Sequence, residues 1–175
     1  MPSKSVELAL ECQRLSESCL YTSTSLFIWL KFLRATKVAF IAVPLLLGAF
    51  AGWKFLTSFD AQWVRVATAL SAFIAGLLPS IYSALKIDDH IEECRHLAGE
   101  FKNLQDRLRQ AALVSSKKPF SEFQEDVKPV MERLEKARSR SVTAPEWCFR
   151  RAKTKIKSGD YVFDIDVKSI DLENE

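Results

Sequence analysis

Two stretches without a charged side chain decide what this chain can be. The second is the cleaner. It reads Val66-Ala-Thr-Ala-Leu-Ser-Ala-Phe-Ile-Ala-Gly-Leu-Leu-Pro-Ser-Ile-Tyr-Ser-Ala-Leu85, with Arg65 before it and Lys86 after it. A helix of that length is about 30 Å long, the thickness of a bilayer's hydrocarbon core. The first run follows Lys37 and extends from Val38 to Trp53; past Lys54, residues 55–59 keep the apolar character. It is long enough to span only if counted on to Phe59, with Lys54 snorkelling to the headgroups. Trp53 and Trp63 sit where interfacial aromatics belong. A soluble domain of 175 residues rarely hides two such helices with charges only at their ends. Nor does the first run read as a signal peptide. A charged, helix-like segment precedes it, no small-residue cleavage pattern follows it, and a second run comes after.

The flanking charges predict the orientation. Lys31, Arg34 and Lys37 precede the first run; Lys86, Arg95, Lys102, Arg107 and Arg109 follow the second. The short connection carries only Asp60 and Arg65. Positive flanks stay in the cytoplasm, which puts both termini there and the connecting loop outside. Cys12, Cys19, Cys94 and Cys148 are then expected as free thiols in a reducing compartment. Cys12 and Cys19 lie seven residues apart on one helical stripe, a spacing that suits core packing and not one metal ion.

Outside the runs, apolar residues recur in steps of four and three. Leu8, Cys12, Leu15, Cys19, Thr22, Leu26, Trp29 and Leu33 form one heptad stripe; no Pro or Gly separates it from the first run, so one helix can continue into the membrane. Ile87, Ile91, Cys94, Ala98, Phe101, Gln105, Leu108 and Ala112 form a second. Residues 115–119, Ser-Ser-Lys-Lys-Pro, interrupt the pattern. Phe120, Phe123, Val127, Val130, Leu134 and Ala137 make a third, with Pro129 expected to kink it. Thr143-Ala-Pro-Glu146 has the form of a capping box and predicts a short helix through Trp147 and Lys157, stopped by Gly159. Residues 161–167 alternate apolar and acidic side chains with period two. They read as a flexible acidic tail or as a strand that pairs with another chain.

Little here can carry chemistry. Three of the five glycines lie inside the apolar runs, so no glycine-rich phosphate loop can be built outside them. Two histidines in one acidic segment support neither a catalytic triad nor a Cys–His pair. Asp88, Asp89, His90, Glu92, Glu93 and His96 cluster after the second run. His90 and Glu93 are one turn apart, but no further ligand follows on that face, which reads as a solvated helix start. No catalytic, metal or cofactor-binding residue is assigned, and no enzyme is expected. The net charge of +3 is too small to name a partner. The basic run Arg150, Arg151, Lys153, Lys155 and Lys157, beside Trp147 and Phe149, could suit nucleic acid. Beside membrane spans, the anionic lipid headgroup is the stronger reading, and no nucleic-acid partner is assigned.

On a helical wheel the second run divides by size. Val66, Leu70, Phe73, Ile74, Leu77, Leu78, Ile81 and Leu85 fall on one side. Thr68, Ser71, Ala72, Ala75, Gly76, Pro79 and Ser83 fall on the other, and Gly48 and Gly52 repeat the theme in the first run. Small and hydroxyl side chains suit close helix contact or a water-lined path. Two helices cannot enclose a pore. A ring of four would leave a gap of about 4 Å and a ring of five about 7 Å, so a pore requires a homo-oligomer.

The order of an amphipathic helix, two spans with a short outer loop, then cytoplasmic helices, resembles the SLATT family. These are the SMODS- and SLOG-associated two-transmembrane effectors of bacteria. Glu11-Cys-Gln-Arg-Leu-Ser-Glu-Ser-Cys-Leu-Tyr21 ahead of the first span shares its texture, and the resemblance covers roughly residues 5–157. It implies an inner-membrane effector of conflict or antiphage defence that forms a pore when a nucleotide-signalling or sensor component triggers it. It supplies no catalytic residues. No fused sensor domain is legible, so the trigger is expected to be a separate protein or ligand.

The expected fold is an all-α membrane protein: a two-helix transmembrane hairpin, with the N-terminal and C-terminal cytoplasmic helices forming a helical bundle or coiled coil. Its parts are an amphipathic helix (1–37), a first span (38–59), an outer loop (60–65), a second span (66–85), a cytoplasmic helical region (86–158) and an acidic tail (159–175). The expected function is a regulated pore or membrane-disrupting effector. The alternative is a non-conducting anchor or scaffold whose cytoplasmic helices recruit a partner.

Overall fold

Between Lys4 and Leu56 the only proline is Pro44 and the only glycines are Gly48 and Gly52. In the computed structural model, which describes residues 4–56, 62–140 and 142–159, that whole stretch is one helix of 53 residues, α1 (Lys4–Leu56). α2 (Gln62–Ala84) and α3 (Ile87–Leu113) come next. A 3₁₀ turn at Ser115–Lys117 then leads to α4 (Phe120–Ser139) and α5 (Glu146–Lys157). Among the described residues there is no strand. The protein is all-helical, and α1 and α2 each contain an apolar stretch long enough to cross a membrane.

Each boundary has a local cause. Between α2 and α3 stands Lys86 with φ +46°, a left-handed conformation that no second helix can continue through. Its carbonyl receives the His90 amide at 3.2 Å and so starts α3. Pro119 ends the 3₁₀ turn, and the Phe123 amide bonds its carbonyl at 3.0 Å. α4 runs through Pro129 without interruption. The start of α5 corrects the capping-box expectation. Thr143 does not cap it: the N-cap is Pro145, with no side-chain cap and extended backbone (φ −55°, ψ 147°). A residue before proline is pushed out of the helical region, so Ala144 cannot begin the helix. The far end does stop at Gly159, whose φ is +87° and whose amide bonds the Ile156 carbonyl at 3.3 Å. The alternating segment 161–167 lies outside the described residues.

The chain divides into two compact units, residues 1–29 with 94–175, and residues 30–93. In the first, the three heptad stripes meet in one core. Cys12, Cys19 and Leu26 of α1 join Ala98, Phe101 and Leu108 of α3, and Phe123, Val127, Val130, Leu134 and Ala137 of α4. Phe123, Leu104, Leu108, Leu26 and Leu134 are fully buried; each such side chain contributes about 1.5–3 kcal/mol. Gln105, a polar member of the α3 stripe, offers its backbone carbonyl to the Ser16 hydroxyl at 3.0 Å. Ser23, Thr24, Ser25 and Leu26 are four consecutive buried residues, so α1 is enclosed on every side there. The Ser23 and Ser25 hydroxyls donate to the carbonyls of Leu20 and Thr22, which satisfies them inside the core. α5 packs through Cys148 and Ala152. Its Trp147 meets Trp29 edge-on with centroids 6.2 Å apart, and Phe149 lies 6.0 Å from Tyr21. All four cysteines are buried free thiols. Burial pushes the Cys19 thiol up to about 11 and raises Cys12 and Cys148 as well.

In the second unit the four-and-three spacing continues. The buried or half-buried positions along this part of α1 include Leu33, Lys37, Phe40, Pro44, Leu47 and Ala51. Val64, Thr68, Ser71, Ala75, Leu78 and Tyr82 are their counterparts along α2.

Candidate functional site

The apolar stretches are almost bare. Of the most apolar window of α1 none is buried, and of that of α2 only 6%. Leu45, Leu46 and Trp53 in α1, and Trp63, Val66 and Phe73 in α2, are each more than 60% exposed. Monomeric soluble proteins rarely expose contiguous apolar patches beyond a few hundred Å². A core helix of a soluble protein would bury these side chains.

The small residues of α2 fall into two groups. Ser71 is buried, and Thr68 and Ala75 are half-buried on the stripe with Leu78 and Tyr82. The Thr68 hydroxyl donates to the Val64 carbonyl and the Ser71 hydroxyl to that of Thr68, both at 2.9 Å. Their protons are therefore committed to their own helix. Ala72, Gly76, Pro79 and Ser83 lie on a neighbouring stripe and are exposed, as are Gly48 and Gly52 on α1. A methyl group added at Gly48, Gly52 or Gly76 would meet nothing within 4 Å. Leu78, assigned by the wheel to the bulky outer side, is instead half-buried. The wheel's two halves are too coarse for a heptad contact, which takes a stripe and not a hemisphere.

At the end of the apolar stretches nearest α3 lies a contact that the sequence does not announce. The Lys37 ammonium donates to the Asp88 carboxylate at 2.7 Å, joining residues 51 positions apart. The Tyr82 ring lies 5.9 Å from Phe40. The hydrogen bond from Lys37 holds the Asp88 carboxyl below its ordinary range, and Asp88 in turn raises Lys37. The available signal is positional: opposite charges stand one residue before the first run and three after the second.

Arg150, Arg151, Lys153, Lys155 and Lys157 are all exposed on α5, as are Trp147 and Phe149. Beside α3, the open grooves of about 410 and 450 Å³ along α1 both contain Arg109 and neither contains a His or Cys. No group of three metal-ligating side chains occurs among the described residues. Compared with protein-family models, curated proteins and solved structures, the chain matches none.

Proposed function

We propose that this chain is a bacterial inner-membrane effector that self-associates into a regulated pore or membrane-disrupting assembly. In this reading the apolar part of α1 and α2 form a transmembrane hairpin, both termini are cytoplasmic, and the remaining helices form a cytoplasmic bundle. The observation that carries it is the bareness of both apolar windows, 0% and 6% buried. Side chains such as Leu46 and Phe73 need lipid or another protein around them.

Self-association is supported by the exposed small residues. Ala72, Gly76, Pro79 and Ser83, with Gly48 and Gly52, leave room for a neighbouring helix to approach closely. The SLATT resemblance belongs to the same reading, with a separate nucleotide-signalling or sensor protein as trigger. The second reading, a non-conducting anchor, draws on Thr68 and Ser71, whose hydroxyl protons are committed to their own helix.

Leakage from vesicles separates the two. Purified protein reconstituted with an entrapped dye and an ion-sensitive probe should release small ions. Oligomers that hold both tracers indefinitely, with and without a cytoplasmic extract from stimulated cells, would leave the scaffold reading standing and remove the pore.

A further inference from the structure

α5 carries five basic residues, Arg150, Arg151, Lys153, Lys155 and Lys157, against one acid, Glu146. All five are exposed. Glu146 stands 3.9 Å from Arg150 in the first turn, where both side chains face water. The apolar side chains of α5 are engaged within the protein. Cys148 and Ala152 are buried, and Ile156, one turn further, is half-buried. The Trp147 ring meets that of Trp29 with centroids 6.2 Å apart, and Phe149 meets Tyr21 at 6.0 Å. A helix that sinks into a bilayer surface does so by an apolar face. α5 has that face against its own bundle and its cations outside. α1, on which both rings rest, runs on without a break from Trp29 into the apolar stretch that starts at Val38.

We propose that the exposed face of α5 binds the anionic headgroup surface of the membrane superficially. It does so by charge, with its aromatic rings kept on α1 and no side chain entering the acyl region. The proposal rests on the reading of the apolar stretches as membrane spans and goes beyond it. It adds a second lipid contact, one that depends on headgroup charge. A single-stranded nucleic acid would stack its bases on free aromatic faces, whereas both rings of α5 are in contact with α1. A headgroup surface asks only for charge, at about 1 kcal/mol, or about fivefold in binding, for each basic residue near it.

The test uses the full chain in nanodiscs, either of neutral phosphatidylcholine or of phosphatidylcholine mixed with anionic phosphatidylglycerol. An uncharged acetylating reagent modifies the lysines, and mass spectrometry reads the rate at each one. An ammonium must lose its proton to react, and a headgroup contact of about 1 kcal/mol makes the free amine about fivefold rarer. Lys153, Lys155 and Lys157 should therefore react about fivefold more slowly in anionic discs. Lys128 and Lys136, exposed on α4, should react equally in both. Molar salt should erase the difference. Arg150→Gln combined with Arg151→Gln leaves the three reporters in place and lowers affinity for the surface about 25-fold, so most of the protection should go. Both side chains are exposed, so the melting temperature should stay that of the parent. Equal lysine rates in the two kinds of disc overturn the proposal and leave the span reading standing. Protection that survives molar salt means an inserted helix and overturns the superficial contact. Protection by an RNA oligonucleotide in neutral discs, with none from anionic lipid, assigns the face to nucleic acid instead. A chain that stays in solution without detergent and enters no disc removes the span reading, and the proposal falls with it.

Discussion

Lys37 and Asp88 show how much one pair of side chains can report. Each lies just outside an apolar stretch, so their 2.7 Å contact ties together the two ends that meet α3 and the N-terminal part of α1. Both are partly exposed, and water screens such pairs, so the contact positions the ends more than it stabilises them. The linkage has a definite sign. Asp88 is held below its ordinary range by Lys37, so the folded state binds its proton less readily than the unfolded chain. The contribution is therefore complete above the unfolded value, about pH 4, and is lost as pH falls through the lowered folded value. Asp88→Asn should lower the melting temperature of the detergent-solubilised protein at pH 7, and the gap from the parent should close towards pH 2. Asp89→Asn is the control, because Asp89 shares the first turn of α3 and its dipole, whereas the Lys37 ammonium bonds Asp88. Equal shifts from both variants would assign the effect to the helix end and not to Lys37.

At the scale of elements, α2 carries two stripes of small residues with different duties, and substitutions should separate them. Ser71 is buried, so Ser71→Leu forces a larger, branched side chain into a filled contact, at about 1–3 kcal/mol. It should lower the melting temperature of the monomer itself. A side chain at Gly76 meets nothing within 4 Å, so Gly76→Leu should leave the monomer's melting temperature unchanged and act only on oligomer size or ion release. Loss of the oligomer alone would identify a packing surface; loss of ion release with the oligomer intact would identify a pore wall. A Gly76→Leu protein that keeps both, while Leu77→Phe loses them, would remove Gly76 and its neighbours from any role. Much of this element structure is legible in the sequence. The four-and-three spacing of Leu8, Cys12, Leu15, Cys19 and Leu26 becomes the α1 side of the core, because a heptad pattern reports burial directly. Its continuation through Phe40, Pro44, Leu47 and Ala51 is hidden, because in a uniformly apolar stretch the outward positions are apolar too and the period loses contrast. The start of α5 misleads for a different reason: Thr143 and Glu146 have the capping-box spacing, but Pro145 constrains Ala144 between them.

For the whole molecule, orientation is the property on which the remaining proposals depend. A lipid-facing α5 and a cytoplasmic trigger both require the helices outside the apolar stretches to lie on the cytoplasmic side. Charge near the apolar stretches favours that side. Lys31, Arg34 and Lys37 lie before the first and Lys86 and Arg95 after the second, against Arg65 alone between Phe59 and Val66. Basic residues in short flanks resist translocation, so the connection between the spans is the segment expected to cross. A reporter active only outside the cytoplasm should be silent when fused after Glu175 and active when inserted beside Asp60. The charge origin can be tested in the same assay. Adding four lysines next to Asp60 while changing Lys31, Arg34 and Lys37 to Gln should weaken or reverse the difference between the two fusions. Activity after Glu175 in the unaltered chain would place the basic face of α5 away from the anionic inner leaflet, and the lipid reading of Arg150, Arg151, Lys153, Lys155 and Lys157 would have to be given up. Equal activity at both fusion sites would instead mean that the bare apolar windows of α1 and α2 do not form a hairpin across the membrane, and that the surface covering them must be sought in another chain.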